Sequence, residues 1–171
     1  MIKKITYFSF LLFGIVANTN AQFWDFTTPS KLNENINSAA EESMPVFSED
    51  SLILYFVRTF DEENRGGEID QDIWFSKKGS DGQYGKSERL TTLNNKLNNA
   101  VYGVNSKGDA IYLLNSYDGK KGKDRGIAIA QKKGGKWQQP NAFRIPTFQV
   151  QGDFVNYYVS NDERIILASY A

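Results

Sequence analysis

The carboxylates are the side chains in this sequence that could hold a metal ion or act as general acids and bases, because the chain contains no histidine and no cysteine. They are densest in residues 61–72, where six acids stand against one base. Counted from Asp61, Glu63 takes the third position of an EF-hand calcium loop. Arg65 takes the fifth position, where an oxygen ligand is needed, and Asp72 replaces the glutamate of the twelfth. The sequence therefore predicts no metal site.

The missing residue types exclude several other kinds of chemistry. Without cysteine and histidine there is no disulfide, no thiol catalysis, no histidine-based triad and no ordinary zinc site. The nucleophile-elbow, P-loop and Rossmann glycine patterns are absent from the sequence. A glycosidase carboxylate pair stays open as an alternative, although no spacing selects one. We expect no catalytic activity and no cofactor.

Length, charge and composition limit the number of domains and the binding partners to be expected. The 171 residues allow one domain. Twenty basic and 20 acidic residues give zero net charge, so neither nucleic acid nor an anionic membrane is an expected partner. Aromatic residues make up 14% of the chain and apolar residues 40%, enough for an ordered core.

The N-terminus is typical of a secretory signal peptide spanning residues 1–21. Two lysines precede an apolar stretch from Ile5 to Val16, which is shorter than the roughly 20 residues of a membrane span. Small residues lie before the bond between Ala21 and Gln22, as signal peptidase requires. We therefore expect cleavage there, a leader over 22–30, a location in the periplasm or at the outer membrane or outside the cell, and no membrane span after cleavage.

The remaining residues alternate between short apolar runs and clusters rich in Asn, Asp, Gly and Ser, which predicts β-strands. In the first unit, strands are expected near 44–48, 52–58, 72–77 and 87–90, and in the second near 100–105, 110–115, 126–131 and 137–143. The third unit has strands near 154–160 and 164–170. Units of about 50 residues with four strands have the size of propeller blades.

An internal repeat aligns these units. The segment that begins at Ser48 matches the segments that begin at Ser106 and Ser160, with spacings of 58 and 54 residues. The polar residues that follow are expected to form hairpin turns rather than an acidic ligand site. They are Asp50, Gly108 and Asp162. Asp72 aligns with Gly126, which favours a structural role for this aspartate.

Three strand aromatics, Trp74, Tyr84 and Trp137, allow two interpretations. They could stack against a ligand, or they could fill the space between neighbouring sheets. The second role is the more common for aromatic residues on strands, so we expect them in the core.

Together these residues resemble the TolB-type, WD-repeat-like β-propeller repeats of exported proteins from Bacteroidota-like bacteria. The repeat-motif residues that carry the resemblance are Glu42, Pro45, Ser48, Asp50, Asp72 and Trp74, then Ser106, Gly108 and Trp137, and then Ser160 and Asp162. The resemblance implies an all-β fold of four-stranded antiparallel blades over residues 31–171, in units of about 31–90, 91–147 and 148–171. It also implies a scaffold or binding role in the envelope, without catalytic residues to carry over, and an association with OmpA-like domains.

About two and a half blades cannot close a ring, because propellers contain 4–8. We therefore expect the N-terminal part of a longer protein that binds a protein or an envelope polymer. Three alternatives stay open: a ring completed by self-association, a fragment of a hydrolase, and a degenerate fragment without function. The loops 61–72 and 118–125 carry opposite charge, so they could attract each other weakly across one face, but we expect two separately solvated loops.

Overall fold

The computed structural model describes residues 28–117, 126–148 and 155–170. Residues 31–171 form one compact unit. The described residues contain eleven strands and no helix, which confirms the all-β expectation. The predicted cleavage site at Ala21 and Gln22 and the basic loop 118–125 lie outside the described residues.

The first sheet is a meander of four antiparallel strands in sequence order, β1 (Glu41–Phe47), β2 (Ile53–Thr59), β3 (Asp72–Lys77) and β4 (Glu88–Arg89). Strand β1 begins three residues earlier than its apolar pattern predicts. The strand continues through Pro45 because a bulge between Ser43 and Val46 interrupts the pairing there. Met44 takes a φ of 50° at this bulge. A proline is tolerated at such a position because β1 is an edge strand and no ladder hydrogen bond is required from its nitrogen.

The second sheet contains β5 (Val101–Val104), β6 (Ala110–Leu114), β7 (Ile127–Lys133), β8 (Lys136–Trp137) and β9 (Asn141–Phe143). The sequence predicts one strand over 137–143, but the structure divides it into β8 and β9, which pair with different parts of β7. The pairing shifts by one residue between them, and Pro140 has no N–H to continue the ladder.

The third sheet is a single hairpin of β10 (Val155–Val159) and β11 (Ile166–Tyr170). The sheets pack face to face in chain order. One apolar cluster joins the first sheet to the second and is built around Tyr55, Ile73, Ile111 and Leu113. Another joins the second sheet to the third and is built around Tyr102, Tyr112, Tyr157 and Val159.

A third cluster covers the other face of the first sheet. Ile36, from the segment before β1, packs there against Leu54, Phe56, Trp74 and Tyr84. This cluster is needed because every residue of β2 from Leu54 to Thr59 is buried, so the strand is covered on both faces.

Tyrosine hydroxyls connect the second and third sheets. Tyr112 donates to Glu163 Oε1 at 2.9 Å, and burial together with this hydrogen bond raises the pKa of Tyr112 to about 12. Tyr102 donates to the carbonyl of Val155 at 3.3 Å, and burial also raises the pKa of Tyr102 above its ordinary value. Both hydroxyls therefore keep their protons at neutral pH and act as donors across the junction.

Candidate functional site: a groove between the first two sheets

The first and third hairpins share one hydrogen-bond pattern. The Ser48 hydroxyl donates to Asp50 Oδ1 at 2.6 Å and accepts from the Ile53 N–H at 2.9 Å. Ser160 and Asp162 repeat this pattern at 2.6 Å, and Ser160 accepts from the N–H of Ile165 at 3.0 Å. The side chains of these four repeat-motif residues therefore form their hydrogen bonds within their own turns.

The second hairpin corrects the alignment made from the sequence. Its turn begins at Asn105, whose N–H donates to the Ala110 carbonyl just as the Ser48 N–H donates to that of Ile53. Asn105 Oδ1 accepts from the N–H of Ala110 at 3.0 Å. Ser106 is exposed and does not occupy the position of Ser48. The amide of Asn105 replaces the serine hydroxyl, and a search for identical residues selects the neighbouring serine instead.

The corrected alignment also reassigns Gly108. It has a φ of 67° and corresponds to Ser51 (56°) and Glu163 (59°), and not to Asp50. Glycine relieves the strain of this left-handed position in the second turn, whereas the first and third turns place ordinary residues there.

Glu42 and Pro45 lie on β1 and do not line the three cavities described below. Glu42 accepts a hydrogen bond from the Ser38 N–H at 3.2 Å and pairs with Arg58 at 3.0 Å. In the second unit, Asn99 accepts from the Asn95 N–H in the same way at 2.8 Å, 57 residues further on. Glu42 therefore has a position that the repeat preserves, although its residue type differs.

Arg58 is a buried arginine that the sequence patterns did not select. Its guanidinium pairs with Glu42 and Asp61, donates to the carbonyl of Ile36 at 3.2 Å, and lies 4.3 Å from the centre of the Trp74 ring. The arginine lies on a strand that reads as apolar, so only the position of its partners explains its burial. Trp74 itself is 5% exposed and lies in the core.

The acidic loop 61–72 is bound to its own backbone. Asn64 donates to the carbonyls of Arg58 and Asp70 at 3.0 and 2.8 Å. Asp70 accepts from the N–H of Gly66 at 2.8 Å. The described residues contain no cluster of acids that could hold a metal ion.

Asp72 is fully buried and has an incomplete set of partners. Its Oδ2 accepts from the Arg65 N–H at 2.9 Å and lies 3.5 Å from Arg89. Its Oδ1 has no hydrogen-bond partner among the described residues. Burial raises the pKa of this carboxyl, and the neighbouring charge of Asp70 adds to the effect. Asp72 therefore holds the backbone of loop 61–72 at Arg65.

Trp137 and Tyr84 are equivalent residues in different surroundings. Tyr84 pairs with Lys78 on the first sheet, and Trp137 pairs with Lys132 on the second. In each pair the lysine lies over the ring, with Nζ to centroid distances of 5.8 and 4.5 Å. Tyr84 is buried beneath the segment that contains Asn33 and Asn35, and both of these side chains donate to its carbonyl. Trp137 stays partly exposed.

Trp137 lines an open cavity of about 440 Å³ between the first and second sheets, which we call the Trp137 groove. Its walls are formed by Tyr55, Phe75 and Leu90 from the first sheet and its connection, and by Trp137. Lys77, Lys132 and Lys136 also line it, and none of the described lining residues is acidic. None of the ion pairs of the described residues includes one of these lysines.

Lys132 is the most confined of these three ammonium groups. Burial lowers its pKa, and the charge of Lys77 lowers it further, while Asp109 opposes the shift. The groove therefore holds positive charge without a paired carboxylate, beside aromatic and aliphatic walls. Such a site suits an anionic ligand with an apolar surface.

These features define an all-β protein of stacked antiparallel sheets with a basic, aromatic groove at one junction. A scan against protein-family models found no matching family, and searches of curated proteins and of solved structures found no significant match. Across the described part of the chain, no helix has the length and hydrophobicity needed to cross a membrane.

Proposed function

We propose that this chain is an exported, non-catalytic β-propeller module that binds a protein or an envelope polymer and forms the N-terminal part of a longer protein, like those that carry OmpA-like domains. The observation that carries the proposal is that equivalent positions on one face of each sheet are buried where a next sheet follows and exposed where none does. The three turns begin at Ser48, Asn105 and Ser160. The equivalent residues seven positions further on are Tyr55, Tyr112 and Leu167. Tyr55 is 2% exposed in the first junction and Tyr112 is 5% exposed in the second, but Leu167 is 60% exposed.

The opposite end of the stack supports the same proposal. The residue before each hairpin turn is Phe47, Val104 or Val159. Val104 and Val159 are 1% and 2% exposed because each packs against the preceding sheet, whereas Phe47 is 47% exposed. Phe47 thus exposes apolar surface at a position that is buried between sheets elsewhere, although the segment that contains Ile36 covers the rest of that face. The face of the third sheet that carries Leu167 is where a further sheet would bury apolar surface, as in a propeller with more blades.

The test is the state of association of the protein expressed from the full 171-residue sequence. We expect size-exclusion chromatography with light scattering to show either a discrete oligomer with a sharp melt, formed through the ends, or aggregation with a broad melt. The double variant Tyr158→Asp/Leu167→Asp removes apolar surface from the third sheet and should lower the measured mass. Ile69→Asp, at a loop residue that is 79% exposed, is the matched control and should leave the mass unchanged.

A monomer that melts cooperatively at all concentrations would overturn the proposal, because such a protein would have no unsatisfied sheet faces. An unchanged mass in the double variant would also contradict it, since association would then use another surface.

A further inference from the structure

We propose that the Trp137 groove binds an acidic saccharide, with its carboxylates paired to Lys77, Lys132 and Lys136 and a sugar ring against the aromatic wall. The inference rests on the proposed binding function and names the class of ligand. It is carried by the charge, the shape and the composition of the groove.

The charge of the groove selects an anion. Three lysines line one cavity and none of them forms an ion pair with a described residue. Two neighbouring cavities share Lys132 with the groove. Glu49 and Asp50 line one of them, and Asp109 and Glu163 line the other, but none of these carboxylates forms an ion pair with Lys132. A bound carboxylate would relieve the repulsion between Lys77 and Lys132. Its attraction to the two ammonium groups would become stronger as water leaves the site.

The walls of the groove suit a sugar ring. Phe75 and Trp137 are only partly buried, so their apolar surface is available to the C–H face of a ring. Thr92 and Gln138 line the same cavity and can exchange hydrogen bonds with ring hydroxyls. The volume of about 440 Å³ lies within the range of small-ligand sites.

Other anionic polymers fit less well. A peptide commonly binds by adding a strand to an open sheet edge. The open edges beside this groove belong to β4 and β8, which are only two residues long and so offer few backbone groups for a peptide strand to pair with. A nucleic acid needs an extended basic surface, and the chain has zero net charge.

The repeat itself supplies a control residue. Lys78 lies over Tyr84 as Lys132 lies over Trp137. Tyr84 is buried under residues 33–36, and Lys78 does not line the groove. A substitution of Lys78 therefore removes the same kind of contact and the same charge at a place where no ligand is expected.

The experiment is calorimetric titration of the protein expressed from the full sequence with trigalacturonate, and with neutral galactotriose as the matched ligand. We expect trigalacturonate to bind and galactotriose to bind at least about tenfold more weakly, because the charged hydrogen bonds are missing. Lys132→Gln should weaken trigalacturonate binding about tenfold. Lys78→Gln should change it less than about twofold, and added salt should weaken it in the wild type.

Three results would overturn the inference. The first is that trigalacturonate does not bind to protein that still melts as the wild type does. The second is an equal loss of affinity in Lys78→Gln and Lys132→Gln. The third is that hexaglutamate binds more tightly than trigalacturonate, which would assign an acidic peptide as the ligand. Light scattering on the same samples reports the association of the sheets separately, so failure of the groove and failure of the propeller proposal can be told apart.

Discussion

At the scale of single residues, a few polar side chains hold the turns by replacing backbone hydrogen bonds. The Ser48 hydroxyl both donates to Asp50 and accepts from Ile53, so one atom closes the turn and orients the carboxylate. The hydrogen bonds that Asp50 accepts from the Ser48 hydroxyl and the Leu52 N–H lower its pKa, and the equivalent bonds from Ser160 and Arg164 lower the pKa of Asp162. Asn105 performs the acceptor role with an amide in the second turn.

A pair of alanine variants tests the corrected alignment. Ser48→Ala should lower the free energy of unfolding by about 1 kcal/mol, because it leaves the partly buried N–H of Ile53 without its acceptor. Ser106→Ala should change it by less than about 0.5 kcal/mol, since Ser106 is exposed. Chemical denaturation of both variants measures the difference. Equal losses would restore Ser106 to the position that the sequence match indicates.

The buried carboxyl of Asp72 predicts a pH effect. Because burial raises its pKa in the folded state, the folded protein binds a proton more tightly than the unfolded chain does. The contribution of this group to stability is therefore present below 3.8, the ordinary value of an aspartate, and is lost as the pH rises through the higher folded pKa.

Asp72→Asn should remove this dependence. The difference in unfolding free energy between Asp72→Asn and wild type should shift in favour of the variant as the pH rises from 4 toward neutrality, as measured by denaturation at several values of about 4 to 7. The exposed Asp81→Asn is the control and should keep the wild-type profile. A variant whose profile is parallel to that of wild type would show that Asp72 does not titrate abnormally.

At the scale of strands and sheets, the size of one side chain sets how closely two sheets approach. Trp74 and Ala128 stand at equivalent positions on β3 and β7, opposite Phe56 and Leu113. The tryptophan fills space beneath the segment before β1, while the alanine leaves room for the aromatic residues of the first sheet. The same principle explains Gly103. A Cβ there would collide with the carbonyl oxygen of Val159 and lie 3.0 Å from the Val159 Cβ.

Gly103→Ala should therefore push the third sheet away from the second. We expect a loss of about 1–3 kcal/mol in unfolding free energy and a weaker near-ultraviolet dichroism from Tyr102 and Tyr157, whose rings lie 5.4 Å apart across this junction. Gly85→Ala is the matched control, because its Cβ would meet nothing nearer than 3.5 Å. A Gly103→Ala protein as stable as Gly85→Ala would mean that the third sheet is not held where the structure has it.

At the scale of the whole molecule, the three sheets form a stack in which each junction repeats the previous one. Both outer faces carry apolar residues, Phe47 at one end and Leu167 at the other. A stack of this kind gains stability from each neighbouring interface, so its terminal sheets are the least stabilised. In the proposed function, additional sheets supply the missing interfaces.

Export is the whole-molecule prediction that the N-terminus carries. When the full sequence is expressed in a Gram-negative host, we expect the protein in the periplasmic fraction to begin at Gln22, as determined by mass spectrometry of the intact chain. Ala21→Phe should block cleavage and leave the precursor in the membrane fraction, because signal peptidase needs a small residue there. A full-length protein starting at Met1 in the cytoplasm would disprove the signal peptide.

Local chemistry was sufficient for the strands and the turns. Alternating apolar residues and turn-forming Ser, Asp and Gly are short-range features, so the sequence alone predicted the all-β class and most strands of the three sheets to within a few residues. It also predicted the repeat. The residues responsible, such as Leu54 and Asp50, act within their own hairpins.

Tertiary structure decided which side chains meet across the sheets. The burial of Arg58 depends on Ile36 and Glu42, and the Trp137 groove joins Tyr55 to Lys132, which lie far apart in the sequence. The position of Asn105 followed from backbone pairing and not from residue identity. Composition and periodicity describe one strand at a time, whereas a groove and a buried charge exist only where two packed sheets bring distant residues together.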